Sequence, residues 1–109
     1  MTRLAGSCPL VSNVSPMYRI VLACYGVPAS EGAEAADDIT TEFANHRTWW
    51  SNVSCTWDGA RLILQADSDV DPSGLVLLDE FSDCTAAYIK ELFDGDIKVE
   101  SIAQVPAGA

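Results

Sequence analysis

Positive charge is scarce in this sequence: Lys and Arg number 6 against 16 Asp and Glu, for a formal net charge of -10. Affinity for phosphate backbones comes mainly from Lys and Arg, so this balance argues against a nucleic-acid partner. Histidine is scarcer still. His46 is the single imidazole, so any general-base step that uses one must use it. It falls beside Arg47 at the end of an expected helix, where positive charge meets exposed carbonyl groups. No nucleophile elbow accompanies the serines, and the stretch from Gly26 to Gly32 lacks the spacing and the following lysine of a phosphate loop. No catalytic residue and no cofactor site is expected on these grounds.

Metal-binding patterns are missing too. Cys8, Cys24, Cys55 and Cys84 are widely spaced, with no CxxC pair and no compact Cys/His cluster, which removes the usual zinc and dithiol motifs. Cys24 and Cys55 fall in expected strands, where a thiol packs as a small hydrophobe. Asp67, Asp69 and Asp71 have the spacing that opens a calcium loop, but Pro72 and Leu78 stand where the turning glycine and the closing glutamate are required. No metal site is therefore expected.

No apolar run approaches the length needed to cross a bilayer. Residues 1–16 carry Arg3 as their only basic residue and lack the apolar stretch of a secretory signal. The expectation is a cytoplasmic protein without membrane contact, in which residues 1–16 are a disordered extension, 17–105 a single domain and 106–109 a loose tail.

What is present is alternation. Trp49 to Asp67 reads as two strands joined by Asp58-Gly59, a pair suited to a two-residue type I′ turn. That turn would set Trp57 opposite Ala60, Cys55 opposite Leu62, Val53 opposite Leu64 and Ser51 opposite Ala66 on an apolar face. Thr56, Ser54, Asn52 and Trp50 would lie on the other face. Tyr18 to Tyr25 has the β-forming composition of a central strand, with Ile20, Leu22 and Cys24 on one side and Arg19, Val21, Ala23 and Tyr25 on the other.

Ser30 is the expected N-cap of a helix reaching about Asn45, which buries Ala36, Ile39 or Thr40, and Phe43. Asp71 followed by Pro72 reads as the cap of a second helical region extending towards Phe93, either continuous or broken near Ser82, with Leu75, Leu78, Phe81 or Ser82, Thr85, Tyr88 or Ile89, and Leu92 on its apolar side. Ile97, Val99 and Ser101 or Ile102 form the last strand.

The order β-α-β-β-α-β with right-handed crossovers predicts an α+β, ferredoxin-like sandwich. It would have a four-stranded antiparallel sheet in the order 4-1-3-2 with both helices on one face. RNA recognition modules share this topology, but Arg19, Arg61 and Lys98 are the only positive charges on strands or their ends.

The helix-free face would then present Val21, Ala23, Tyr25, Trp50 and Ile63. Apolar-aromatic patches of this kind mark interfaces or ligand surfaces. Val21, Tyr25, Trp50 and Ile63 are accordingly the expected interface or ligand face of a small non-catalytic interaction module, a homodimer through that face. Two alternatives stand beside it. One is a small-molecule binding protein or enzyme with its site between paired sheets, near Tyr25, Trp50 or His46. The other is an acidic inhibitor or immunity-type protein that meets a basic protein partner.

Overall fold

The computed structural model describes residues 17–90 and 95–105. The expected N-terminal extension and C-terminal tail, Cys8, and the end of the second helical region at Leu92 and Phe93 lie outside the described residues. The elements are β1 (Met17–Tyr25), α1 (Gly32–His46), β2 (Ser51–Trp57), β3 (Leu62–Ser68), α2 (Leu75–Tyr88) and β4 (Asp96–Val105). They form an α+β structure in which a four-stranded antiparallel sheet runs β2-β3-β1-β4, the expected order read from the other edge.

The core lies between one face of this sheet and both helices. Ile20, Leu22 and Cys24 of β1 and Leu62, Leu64 and Ala66 of β3 alternate onto that face. Ala35, Ala36, Ile39 and Phe43 of α1 and Leu77, Phe81 and Cys84 of α2 recur at helical spacing against them. Each fully buried Leu, Ile or Phe contributes about 1.5–3 kcal/mol relative to exposure. Thr40 joins α1 to the sheet edge, its hydroxyl accepting from the Cys55 amide at 3.2 Å.

Three expected details are corrected. The hairpin loop has four residues, not two: the last pair is Trp57 with Leu62, and Cys55 faces Leu64. Asp58 builds this turn with its side chain, Oδ1 accepting from the amides of Ala60 (2.8 Å) and Arg61 (2.6 Å). A displacement by two residues leaves every side chain on its expected face.

The second helix begins at Leu75, later than the Asp71-Pro72 start. Gly74 adopts φ 76° and turns the chain first. Asp71 still caps the helix from outside it, its two carboxylate oxygens accepting from the amides of Val76 (3.3 Å) and Leu77 (3.0 Å). The later start turns Leu75 to solvent and Leu77 inward. The helix continues through Ser82 without a break.

The third correction concerns the upstream end of β2. Ser51 pairs with Asp67 but Ser54 pairs with Gln65, so Asn52 and Val53 together span the place opposite Ala66. Asn52 sits at φ 51°, in the left-handed region that asparagine tolerates better than most residues. One inserted residue reverses the facing of everything before it. Trp50, expected on the helix-free face, is consequently buried among the core residues on the helix side.

Candidate protein-interaction surface

The helix-free face is more polar than its sequence implies. Val21, Ala23 and Ile63 form its centre; Ala23 is fully buried, and Val21 and Ile63 are partly so. A polar cluster stands at each end. At one, Arg19 makes a bidentate pair with Asp67, Nε and Nη2 each 3.0 Å from a carboxylate oxygen, and Asn52 Nδ2 donates to Asp67 at 2.9 Å. The hydrogen bond from Arg19 holds the Asp67 carboxyl below its ordinary range; burial opposes this, and the Asn52 bond and the Arg19 charge reinforce it. At the other, the Tyr25 hydroxyl donates to Glu100 at 3.0 Å and accepts from Arg61 at 3.3 Å, while Arg61 and Lys98 stand over its ring.

Of the residues expected on this face, Val21, Tyr25 and Ile63 are there, and Trp50 is not. His46, the other residue named for a site between sheets, lies exposed at the end of α1. The calcium-like aspartates do not converge: Asp67 is committed to Arg19, Asp71 caps α2 and Asp69 is exposed. Among the described residues no group of His, Cys, Asp and Glu could hold a metal ion. No described helix is long and apolar enough to cross a membrane.

A second cluster, on the helix side, is invisible in the sequence pattern. The chain leaves α1 through a turn in which the Trp50 amide donates to the Arg47 carbonyl at 3.3 Å. This turn throws Trp49 outward and Trp50 inward. Both indoles then meet one carboxylate from α2: Trp50 Nε1 donates to Glu80 Oε1 at 3.1 Å and Trp49 Nε1 to Oε2 at 3.2 Å. Arg47 Nη1 adds a third donor to Oε1 at 3.0 Å. Arg47 Nε lies 3.3 Å from Glu42 Oε2, outside hydrogen-bonding geometry, and is buried without another acceptor among the described residues. Glu42 in turn accepts from the Tyr88 hydroxyl at 2.9 Å.

Burial works against the Arg47 cation, but the bond to Glu80 and the surrounding negative charge outweigh it and keep the guanidinium protonated. The bond to Glu42 raises the Tyr88 hydroxyl above its usual value. Burial pushes the neighbouring Cys84 thiol up to about 11 and Cys55 up to about 12, so both stay protonated and act as packing groups. Cys24 behaves likewise, at about 11, from burial with a smaller contribution from Asp96. Arg47 Nη1, both indole nitrogens and the Tyr88 hydroxyl are each bonded to a carboxylate of this cluster. The cluster is suited to holding the α1–β2 connection rigid against α2, and with it the outward-facing Trp49.

Around this point the domain shows its large apolar side chains. Trp49 is 63% exposed, Val70 76%, Leu75 62% and Val76 52%. Val70, Leu75 and Val76 lie within seven residues of one another around the start of α2, and Trp49 reaches that helix through Glu80. Val76 and Glu80 are one turn apart on the same side of α2, Trp49 is bonded to Glu80, and Val70 precedes the aspartate that caps Val76. Of these, Leu75 was expected in the core and Trp49 merely in the hairpin. Their exposure follows from the late helix start and from the turn at Arg47.

No protein-family model, no curated protein and no solved structure matches the chain.

Proposed function

We propose that this chain is a small acidic, non-catalytic protein-binding module of ferredoxin-like fold, and that it binds through the end of the domain formed by Trp49, Val70, Leu75 and Val76. The observation that carries this reading is the exposure of Trp49 and Val76 on either side of Glu80, whose carboxylate holds the Trp49 indole nitrogen, with Val70 and Leu75 exposed close by in the chain. A large apolar side chain left singly on a surface is ordinary, whereas a group of them surrounded by polar residues is what interfaces use. A tryptophan whose ring is already held loses little further freedom on binding, which favours it as an anchor.

Self-association through the helix-free sheet face is the second reading. It rests on the central strip of Val21, Ala23 and Ile63, which neither described helix covers, with Tyr25 at its end. A small-molecule site between paired sheets requires this same dimer.

Site-specific photo-crosslinking separates the two readings. A photoreactive side chain at Val76 is expected to form adducts with a different protein in native cells. Adducts found only from Ile63, and only with a second copy of this chain, would replace the first reading by the second.

A further inference from the structure

We infer that the occupant of the Trp49–Val76 surface is a cationic amphipathic protein segment, one that sets an apolar side chain against Val76 and Trp49 and its Lys or Arg side chains against Asp79 and Asp83 of α2. This rests on the protein-binding reading and adds to it the chemistry of the partner.

The charge inventory of the described residues carries the inference. Each basic side chain is already within ion-pair distance of a carboxylate of the same chain. Arg19 pairs with Asp67, Arg47 with Glu42 and Glu80, Arg61 with Asp58 and Glu100, Lys90 with Glu34, and Lys98 with Asp96. Among the described residues the uncompensated negative charge therefore falls in part on exposed aspartates that no basic side chain reaches. Asp69, Asp79 and Asp83 are exposed members of that set. They adjoin the apolar group: Asp69 precedes Val70, Asp79 stands three residues after Val76, and Asp83 follows one further turn along α2.

An apolar anchor flanked by unpaired charges of one sign selects for the opposite sign and repels its own. The same field repels nucleic acid and anionic lipid surfaces, whose recognition needs positive charge. A basic protein segment satisfies both halves of the surface at once.

Titration calorimetry with a lysine–leucine amphipathic helical peptide, and with its glutamate–leucine counterpart, tests this on the full chain. Binding of the lysine peptide is expected, weakening as salt rises, with no binding of the glutamate peptide. The doubly substituted Asp79→Asn/Asp83→Asn chain should lose about threefold to tenfold in affinity, the scale of two exposed ion pairs. Trp49→Ala and Val76→Ser should each lose about tenfold or more, the scale of an anchor residue.

All of these positions are exposed, and circular dichroism checks that each variant keeps its fold. If Asp79→Asn/Asp83→Asn binds as tightly as the parent while Trp49→Ala and Val76→Ser do not, the cationic partner is overturned and the surface stands. If Trp49→Ala and Val76→Ser bind like the parent, or the lysine peptide does not bind at all, the surface falls as well. Equal binding of the glutamate peptide also overturns the inference.

Discussion

The two ends of β2 depart from simple alternation in different ways. At the hairpin end the pairing moves by two residues, because the Asp58 side chain closes a four-residue loop, and nothing changes sides. At the other end a single extra residue at Asn52 moves Trp50 from the helix-free face into the core. In a structure of period two, an even slip is silent and an odd one exchanges inside for outside. The second end therefore decides that Trp50 is buried in the core rather than exposed on the other face of the sheet.

The adjacent tryptophans offer the sharpest way to break that comparison. Trp50→Ala should cost about 3–5 kcal/mol in denaturant unfolding, as expected for emptying a buried aromatic site. Trp49→Ala should cost no more than about 1 kcal/mol, since an exposed ring loses little burial and one exposed hydrogen bond to Glu80. Equal and small effects would return Trp50 to the sheet surface and undo the bulge.

A smaller effect tests the hairpin end. A Cβ added at Gly32, the first residue of α1, would overlap the indole ring of Trp57. Gly32→Ala must push that ring towards water, at about 1–3 kcal/mol, the usual range for forcing extra volume into a packed contact. Trp57 emission should shift to the red, and the shift should be absent when Trp57 is also replaced by leucine. An unchanged stability would mean that Trp57 does not rest on α1.

The smallest expected change is one of pH dependence, at the bulge. Asp67 has a folded value below its unfolded one of about 3.9. Its stabilisation is therefore complete above that value and is lost as pH falls through the folded value. Asp67→Asn should remove this component from the acid limb of stability. Asn52→Gly keeps the left-handed backbone but deletes the donor to Asp67, which moves the folded value towards the unfolded one, so the loss should be smaller and finish at a slightly higher pH than in the parent. Urea midpoints measured down to about pH 2 read both. An acid limb identical in all three proteins would show that the Arg19–Asp67–Asn52 group contributes nothing.

The element order, strand order and most core residues could be read from the chain, because each rests on local periodicity. Ile20, Leu22 and Cys24 alternate, and Ala36, Ile39 and Phe43 recur every three or four residues. The acidic character of the surface was equally plain. The exposed apolar end was not. Leu75 has the spacing of a core residue and faces water because Gly74 delays the helix, while Trp49 depends on a turn that no strong turn residue marks. The signals available were Gly74 just before the apolar run and two tryptophans in succession, which cannot both point inward from one strand.

What the sequence determined by itself is the architecture: hydrophobic period, breakers and charge count are properties of neighbouring residues and need no partner to be expressed. What only the tertiary structure decided is which groups from distant segments meet. Glu80 lies 30 or more residues from both indoles it binds, and Arg19 lies 48 from Asp67. Such contacts are selected by the packing of α2 beside the α1–β2 turn and of β1 beside β3, after the local pattern has been spent. One unpaired residue at Asn52 was enough to alter which side of the sheet received Trp50, because facing along a strand accumulates from every residue before it.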